Sequence, residues 1–575
     1  MARARLLLAE MCVGLFALIG FGASGVVAHA QAQAATAAQT ATAAQAAAAG
    51  TNAPVTSAAP VRKSCSVNST APNPAETALN KGDFAPAEVL FRALLAKSAS
   101  NEAAHEGFVR ALIAQNKVDD AAKDAEAWGA AEPASSMALT ALGDVRLRQG
   151  DPRAAFVQFQ KAAQANLCNA RAYYGIAEID GLAGMHASSK RMIEQAYALH
   201  PTDDDIHTAW MWTRPRKERL ALRAEYNEHS DQVSEENRVK MKASLAKESL
   251  YHASDCSMAP TSPREAKVPM EAVTDGPTRF IGWGLDVKFN GKSRRLQIDT
   301  GASGITISRA AAMFLGIQRE DATQTGGVGD KGVVKTSVTH VASIKIGGIE
   351  FTNCPVDILE KWSVLDSDGL IGGDVFDASL LTLDFPKHEL RIAPLPLRPG
   401  ETEADRAKLE AAGDDAVVEP HDPFIAPGME KWQRIYRSGD GGHFLLMPTG
   451  IVDTKRIKDV SAWKEKLFIL DTGAELNLIS PAAAREVTKV SGDSSMEIRG
   501  IQGEVNKVYE AGRFTLQFAG LRLDSPSMSS IDTTKDSHND GVEVSGFIGA
   551  PALTQLVLHI DYRDNLVWCE YTPKK

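Results

Sequence analysis

The pattern of apolar and polar positions divides this 575-residue chain into a helical part and a β-rich part. Between about residues 71 and 250, small and apolar residues recur with the spacing of helices that bury one face. From about residue 271 the chain changes to short β-rich runs broken by Gly and Asp. Three of these runs predict β-hairpins, over 280–299 with a turn at Asn290-Gly291, over 342–359 and over 380–395.

The helical part repeats itself every 34 residues. The residues that mark the turns of this period are Gly82, Asn116, Gly150 and Gly184. A small residue follows each turn by five positions, namely Ala87, Ala121, Ala155 and Ser189. A 34-residue helix-turn-helix period with small residues where helices cross resembles the tetratricopeptide repeat. The resemblance covers about 71–205, and an unrelated helical bundle is the alternative interpretation.

Residues 206–270 are predicted to connect the helical repeats to the β-rich part. The first stretch, 206–250, is charged and predicts one or two further helices that cap the repeat array. The second, 258–269, is rich in Pro and predicts a linker.

The first 70 residues predict targeting rather than a folded domain. Arg3 and Arg5 precede a long apolar stretch that ends near an Ala-His-Ala site, so residues 1–30 are interpreted as a signal peptide. An uncleaved membrane anchor is the alternative. Residues 31–70 are mostly Ala, Gln and Thr and predict a flexible linker. The protein is therefore expected in the periplasm or outside the cell, or anchored to a membrane if the signal is retained.

Composition excludes several other classes of function. The net charge of −10 does not suggest a nucleic-acid partner. Five scattered Cys remain after the signal, without any Cys-x-x-Cys pair, so we predict no metal site and no cofactor. One or two disulfides would suit an exported protein, but the sequence does not pair them.

The β-rich part contains one motif twice. Each copy has an apolar run that ends in Asp-Thr-Gly-Ala, then two Gly about 30 residues later, then an apolar-apolar-Gly triplet. The first copy comprises Asp299, Thr300, Gly301, Gly329, Gly332 and the triplet 370–372. The second comprises Asp471, Thr472, Gly473, Gly500, Gly503 and the triplet 547–549. Two copies with matching offsets are hard to obtain by chance.

These residues resemble the aspartic protease family in its retropepsin-like form. The resemblance implies two β-lobes, 271–397 and 430–575, joined by an acidic linker over 398–429. Retropepsins pair one lobe from each of two chains, whereas here both lobes lie on one chain, so an internal pseudo-dimer is implied. The predicted fold class is thus an all-α, tetratricopeptide-like solenoid followed by an all-β bilobal aspartic-protease unit.

The resemblance implies a role for each motif residue. Asp299 and Asp471 would form the catalytic pair, because two adjacent carboxyls share one proton and supply both a base and an acid. Thr300, Gly301, Thr472 and Gly473 would support the loops that carry them. Gly329, Gly332, Gly500 and Gly503 would lie in flaps over the substrate, although Gly-rich hairpin tips are common. The alternative for each Asp is a turn residue that caps its own backbone. Glu475 has no counterpart in the first copy, and we interpret it as facing solvent.

The sequence therefore predicts an exported aspartic endopeptidase acting on an extended peptide or protein substrate, with repeats that bind a partner or substrate protein. A second hypothesis is a catalytically inactive peptide-binding or scaffold protein with the same fold. A third keeps the enzyme but pairs each lobe with its twin on another chain. The linker of about 30 residues favours pairing within one chain.

Overall fold

A computed structural model describes most of the chain beyond residue 64. The described residues are 65–68, 72–251, 255–275, 279–325, 328, 334–360, 368–412, 420–439, 442–492, 496, 498–500 and 503–571. The predicted signal peptide (1–30) and most of the predicted linker (31–70) lie outside them, and so do Gly329 and Gly332.

The described chain begins with an all-α array. Its helices are α1 (Pro74–Asn80), α2 (Phe84–Lys97), α3 (Glu102–Ala114), α4 (Val118–Ala131), α5 (Ser136–Arg148), α6 (Pro152–Ala165), α7 (Ala170–Leu182), α8 (His186–Leu199), α9 (Asp204–Trp212), α10 (Arg216–His229) and α11 (Glu235–Ser249). Three helices cover the stretch for which the sequence predicted one or two, because α9 continues the 34-residue period and α10 and α11 follow it.

The 34-residue period has a structural basis at both ends of every second helix. The predicted turn residues Gly82, Asn116, Gly150 and Gly184 all have positive φ, between 57° and 84°, a conformation that favours Gly and Asn. The N-cap residues Asn101, Ser135, Asn169 and Asp203 are also 34 apart, and each side chain accepts a hydrogen bond from a first-turn amide. The sequence analysis missed this second set of residues with the 34-residue spacing.

Small residues let the helices of the array approach closely. The predicted positions Ala87, Ala121 and Ala155 are fully buried. The ring of Phe159 on α6 lies against Gly143 on α5 and Gly175 on α7, where an added Cβ would be 2.7 Å from Cδ1 and 2.6 Å from Cε2 of that ring. The absence of side chains at these two Gly therefore makes room for Phe159.

The rest of the described chain is mainly β-structure. Its first strands are β1 (Ser257–Met258), β2 (Ala266–Pro269), β3 (Glu271–Asp275), β4 (Arg279–Phe289), β5 (Lys292–Asp299), β6 (Ile305–Ser308), β7 (Asp321–Thr325), β8 (Val334–Ile346), β9 (Ile349–Leu359), β10 (Gly369–Gly372), β11 (Ser379–Asp384) and β12 (Glu389–Pro394). Helix α12 (Arg309–Leu315) follows β6, and α13 (Glu403–Ala412) follows β12.

The second lobe is likewise built mainly of β-strands with a few short helices. Its strands are β13 (Gln433–Arg434), β14 (Tyr436–Ser438), β15 (Phe444–Val452), β16 (Lys464–Leu470), β17 (Leu478–Ile479), β18 (Val490–Ser491), β19 (Arg499–Gly500), β20 (Gly503–Glu504), β21 (Val508–Ala511), β22 (Phe514–Phe518), β23 (Leu521–Ser525), β24 (Met528–Ile531), β25 (Gly546–Ile548), β26 (Leu556–Asp561) and β27 (Leu566–Tyr571). Its helices are α14 (Pro481–Arg485), α15 (Thr534–Asp540) and α16 (Ala550–Leu553).

The strands form one large sheet in each lobe and a third sheet between the lobes. The first lobe has the order β1-β9-β6-β10-β5-β4-β8-β7, with β3 on β4. The second has β18-β21-β24-β17-β25-β16-β15-β22-β23, with β14 on β15. The third, β13-β27-β26-β11-β12-β2, joins the lobes where β11 pairs antiparallel with β26, Leu381 opposite Ile560. The predicted fold class, an all-α array followed by an all-β bilobal unit, is confirmed.

All three predicted hairpins are present, as β4–β5, β8–β9 and β11–β12. The first turns at Asn290 and Gly291, whose φ angles of 46° and 90° are those that such a tight turn requires. Alternate apolar residues of these strands enter one core that extends through both lobes.

Two predicted linkers are more structured than the sequence suggested. Within 206–270, β1 pairs with β9 and β2 pairs with β12, and Cys256 forms a disulfide with Cys354. Within 398–429, α13 is helical and Ala426 and Met429 pack on Leu566. The sequence did not reveal these elements because Pro and acidic residues interrupt the apolar pattern there. Short edge strands in any case carry little hydrophobic pattern.

The helical array packs on the second lobe. Leu147 and Ile179 of the array share an apolar cluster with Val542 and Val544 of the lobe. At the edge of this contact, Asn565 Nδ2 donates to the Leu182 carbonyl oxygen at 3.2 Å. Among the described residues, no helix combines the length and apolar character needed to cross a membrane.

Candidate active site

A buried central strand carries each Asp-Thr-Gly loop. In the first lobe β5 runs parallel to β10, with Ile298 opposite Ile371 and Asp299 opposite Gly372. In the second lobe β16 runs parallel to β25, with Leu470 opposite Ile548. The apolar residues before each Asp are buried on both faces of the sheet, as expected for a strand covered on both sides. Each Asp therefore emerges from a rigid support at the centre of its lobe.

Crossed hydrogen bonds between the two Thr join the loops. The Thr300 amide donates to Thr472 Oγ1 at 3.0 Å, and the Thr472 amide donates to Thr300 Oγ1 at 3.1 Å. Each hydroxyl then donates to a strand carbonyl of the opposite lobe, Thr300 to Leu470 at 2.7 Å and Thr472 to Ile298 at 2.9 Å. The four bonds obey an approximate two-fold symmetry, so each Thr holds the other lobe's loop.

The two Gly of the loops let the Asp carboxyls approach each other's backbone. A Cβ added to Gly301 would be 2.7 Å from Asp471 Cγ, and one added to Gly473 would overlap the Asp299 carboxyl. The Gly301 amide donates to Asp299 Oδ1 at 2.8 Å, and the Gly473 amide donates to Asp471 Oδ1 at 2.9 Å. All the predicted motif residues of both loops thus lie together at one place.

The environment favours protonated carboxyls at this place. Burial raises the pKa of Asp299 well above its usual range, and the adjacent Asp471 carboxylate raises it further. Burial also raises the pKa of Asp471, against the opposing effect of its hydrogen bonds with Asp299 and with the Gly473 and Ala474 amides. Since two adjacent carboxylates repel each other, the pair retains one proton over a wide pH range.

Of the four predicted flap residues, the structure describes the two in the second lobe. Gly500 pairs with Gly503 in the two-stranded β19–β20 hairpin, and Gly503 has a φ of 90°. The first-lobe candidates Gly329 and Gly332 lie outside the described residues. Their described neighbour Val328 contacts the second hairpin, because a Cβ added to Gly500 would be 2.8 Å from Val328 Cβ. Val328 of the first lobe therefore lies against the hairpin of the second lobe.

Asp374 is a site residue that the sequence analysis missed. Its carboxylate accepts from the Ser303 hydroxyl and from the Gly304 amide, both at 2.9 Å, and so fixes the segment after Asp299. In the second lobe Asn477 Oδ1 accepts from the Gly549 amide at 2.9 Å. Asp374 follows the Gly372 triplet by two positions, and this proximity was the signal that could have revealed it.

Tyr562 is a second missed residue. Its side chain is fully buried, and a Cβ added to Gly373 would overlap its hydroxyl and lie 3.3 Å from Thr300 Cγ2. Tyr562 therefore packs directly behind the Asp-Thr-Gly loop of the first lobe. In the sequence Phe385 occupies the corresponding place of the first copy, so a hydroxyl is present on one side only.

The interpretation of Glu475 as a solvent-facing residue was incomplete. Glu475 Oε2 accepts from Arg279 Nη2 at 2.8 Å and so forms an ion pair between the lobes. Within the described parts of the chain, no group of three or more His, Cys, Asp or Glu side chains is arranged to hold a metal ion.

Two β-lobes that each bring an Asp-Thr-Gly loop to a shared axis define the aspartic protease fold, and the resemblance found in the sequence is confirmed. Residues 285–375 match the family model described as aspartyl protease. A 140-residue stretch, 24% of the chain, is 31% identical to DNA damage-inducible protein 1 of Neurospora crassa. The match spans 30% of that relative's length.

A solved structure is also similar to part of the chain. The crystal structure of an aspartic proteinase from Irpex lacteus matches 54% of this chain and 97% of its own length, with 12% sequence identity and a TM-score of 0.33.

Proposed function

We propose that this protein is an exported aspartic endopeptidase in which Asp299 and Asp471 are the catalytic residues. The observation that carries the proposal is the contact between the two loops, in which each Gly lies against the other lobe's Asp carboxyl. The crossed Thr300 and Thr472 hydrogen bonds support it, because they fix both carboxyls before substrate binds.

The proposed reaction uses the single proton that the Asp pair shares. The ionised carboxyl takes a proton from a bound water as the water oxygen attacks the scissile carbonyl carbon. The protonated carboxyl gives its proton to the carbonyl oxygen, and a neutral tetrahedral diol forms. The protonated carboxyl then gives its proton to the peptide nitrogen, while the ionised carboxyl takes a proton from one hydroxyl of the diol. The C–N bond breaks, the new carboxylic acid and amine form, and the Asp pair again holds a single proton.

The proposed substrate is an extended peptide segment. The β19–β20 hairpin and the Val328 segment, which touch at Gly500, would lie over it and pair with its main chain. Pairing of β11 with β26 supports a complete site within one chain. We further propose that the helical array binds a partner or substrate protein.

The proposal of export rests on the basic and apolar N-terminal segment and on one cross-link. The Cys256–Cys354 disulfide is of the kind that persists in oxidising compartments. Periplasmic or secreted protein is therefore expected, or membrane-anchored protein if the signal segment is retained.

The test is cleavage of casein between about pH 3 and pH 8 by the wild type and by Asp299→Asn and Asp471→Asn. Either substitution removes the shared acid–base pair, so each should reduce cleavage at least about a thousandfold. Asp286→Asn is the matched control, because Asp286 is exposed and pairs with Arg295 on the sheet surface. A folded wild type that cleaves no unstructured protein would favour the inactive peptide-binding alternative.

Mixing the two inactive variants tests which lobes pair. If the lobes pair within one chain, the mixture of Asp299→Asn and Asp471→Asn stays inactive. Recovery of activity on mixing would show that lobes from different chains combine into an intact pair.

A further inference from the structure

One buried side chain of the first lobe reaches the second Asp loop. Gln297 lies on β5, two residues before Asp299, and is 2% exposed. Its Nε2 donates to the Ile281 carbonyl oxygen of β4 at 3.1 Å and to the Gly473 carbonyl oxygen at 3.3 Å. Because only the NH2 end of a carboxamide can donate to a carbonyl oxygen, these two acceptors fix the orientation of the amide. Gln297 therefore links the strand of one Asp to the loop of the other.

The acceptor in the second loop belongs to a peptide group that contacts the Asp471 carboxyl. The Gly473 carbonyl and the Ala474 N–H are parts of one planar peptide group. The Ala474 amide donates to Asp471 Oδ1 at 2.9 Å. A donor on the carbonyl oxygen fixes the plane of this peptide group and polarises its N–H. Gln297 therefore acts on Asp471 Oδ1 through a single peptide group.

A Gly on the neighbouring strand makes room for the Gln297 amide. A Cβ added to Gly282 on β4 would overlap Gln297 Nε2 and lie 2.9 Å from its Cδ. Any side chain at position 282 would thus displace the amide from its two carbonyl acceptors. The Gly at this position and the Gln on β5 therefore form one arrangement.

The arrangement is present on one side of the site only. Ile469 occupies the place of Gln297 in the second motif copy, two residues before Asp471, and its side chain has no hydrogen-bond donor. The strand of the second lobe therefore cannot hold the first loop in the same way. The segment after the first Asp is held within its own lobe instead, where Asp374 accepts from the Ser303 hydroxyl at 2.9 Å. The support of the two carboxyls is thus asymmetric, although the crossed Thr bonds are symmetric.

We propose that Gln297 is a positioning residue of the proposed active site, which holds the Gly473 carbonyl and thereby sets the direction of the Asp471 carboxyl. This role rests on the proposed protease function and adds a residue to that same site. Gln297 acts on the carboxyl through the Ala474 amide rather than on the substrate. Loss of its hydrogen bonds should therefore lower kcat and leave KM unchanged.

Gln297→Met removes both hydrogen bonds with a side chain of nearly equal length. We expect kcat for casein to fall at least about tenfold, while KM changes less than about twofold. Gly282→Ala is the second variant, because its methyl group displaces the amide although Gln297 itself is retained. It should lower kcat in the same way.

Two matched controls separate positioning from a general loss of stability. Gln433 on the edge strand β13 donates to the Pro448 carbonyl at 3.1 Å and accepts from the Ala519 amide at 2.7 Å. Gln433→Met removes both bonds and should lower the urea midpoint but leave kcat unchanged. Gly348→Ala is the control for Gly282→Ala. An added Cβ there would lie 3.5 Å from Pro263 Cγ, an ordinary contact, so kcat should again be unchanged.

Hydrogen exchange tests the positioning without any cleavage. Measured by mass spectrometry, the amides of 471–475 should exchange at least about tenfold faster in Gln297→Met than in the wild type. The amides of 299–303 should change less than about twofold, because Gln297 holds the second loop only. This measurement does not require the chain to cleave casein. Failure of the protease function would appear separately, as a wild type that does not cleave.

Three results would overturn the proposal. One is exchange of 471–475 in Gln297→Met at the wild-type rate. Another is equally faster exchange in both loops, which would show a general loss of stability. The third is a wild-type kcat in both Gln297→Met and Gly282→Ala when the wild type cleaves casein.

Discussion

Thr300 and Thr472 each accept a hydrogen bond from the other's backbone amide, at 3.1 Å and 3.0 Å. This reciprocity makes the geometry of the Asp pair a property of both lobes at once. Neither loop can move without breaking a buried bond in its counterpart. The position of each carboxyl therefore depends on both lobes.

Substitution Thr300→Ala should separate the loops. It leaves the Thr472 amide and the Leu470 carbonyl without their partners in a buried place, which costs about 2–4 kcal/mol for two lost bonds. We expect a lower urea midpoint and a fall in casein cleavage of at least about tenfold.

Thr300→Ser is the control for this substitution, because it keeps the hydroxyl and removes only the methyl group. It should retain most of the cleavage activity. If Thr300→Ala and Thr300→Ser lose activity and stability equally, the hydrogen bonds are not what positions the Asp pair.

Substitution Gly473→Ala should inactivate the site by a steric effect. The new methyl group would occupy the place of the Asp299 carboxyl, 2.6 Å from Oδ1, and would force the two carboxyls apart. A displacement of about 1 Å at reacting groups can cost about a hundredfold in rate. The measurement is kcat/KM on an unstructured protein or peptide substrate.

Gly492→Ala is the matched control for Gly473→Ala. A Cβ at Gly492 would meet nothing within 4 Å, so this substitution should leave cleavage unchanged. Full activity of Gly473→Ala would contradict the close approach of the loop backbone to Asp299.

Glu178 should make the helical array less stable as the pH rises. Burial raises the pKa of Glu178 from 4.5 to about 8, and the nearby Asp144 carboxylate raises it further. Between these values the folded chain retains the proton and the unfolded chain releases it. The stabilisation is therefore complete below pH 4.5 and is lost as the pH rises towards 8.

Glu178→Gln removes this titration, so the unfolding midpoint should fall less between about pH 5 and pH 8 than in the wild type. Glu88→Gln is a control of opposite sign. Hydrogen bonds from Lys117 and Arg92 lower the pKa of Glu88 to about 2, so its contribution is lost below pH 4.5 and not within this window. Identical pH slopes in the wild type and Glu178→Gln would contradict the prediction.

The sequence predicted those features that depend on patterns of neighbouring residues. The 34-residue turns, the Asn290-Gly291 hairpin and the paired Asp-Thr-Gly loops depend on residues close together in the chain, and each is present. Pairing of the two motif copies also implied that the loops meet.

The features that the sequence did not predict depend on contacts between distant segments. The packing of Tyr562 behind Gly373 joins residues 189 positions apart, and the hydrogen bond from Asn565 to Leu182 requires the array to dock on the second lobe. No local spacing encodes either contact. The strand pairings of β1 and β2 escaped notice for the same reason, because their partners in β9 and β12 lie 93 to 126 residues further along the chain.

Phe159 should be one of the most sensitive positions of the helical array. Its fully buried ring fills the space that Gly143 and Gly175 leave open between three helices, so Phe159→Ala creates a cavity with no side chain able to fill it. Such substitutions cost about 3–5 kcal/mol. Val157 lies on the same helix and is 46% exposed, so Val157→Ala should change stability by less than about 0.5 kcal/mol. Urea denaturation followed by far-ultraviolet circular dichroism measures both, and equal midpoints for the two variants would show that Phe159 does not anchor these helices.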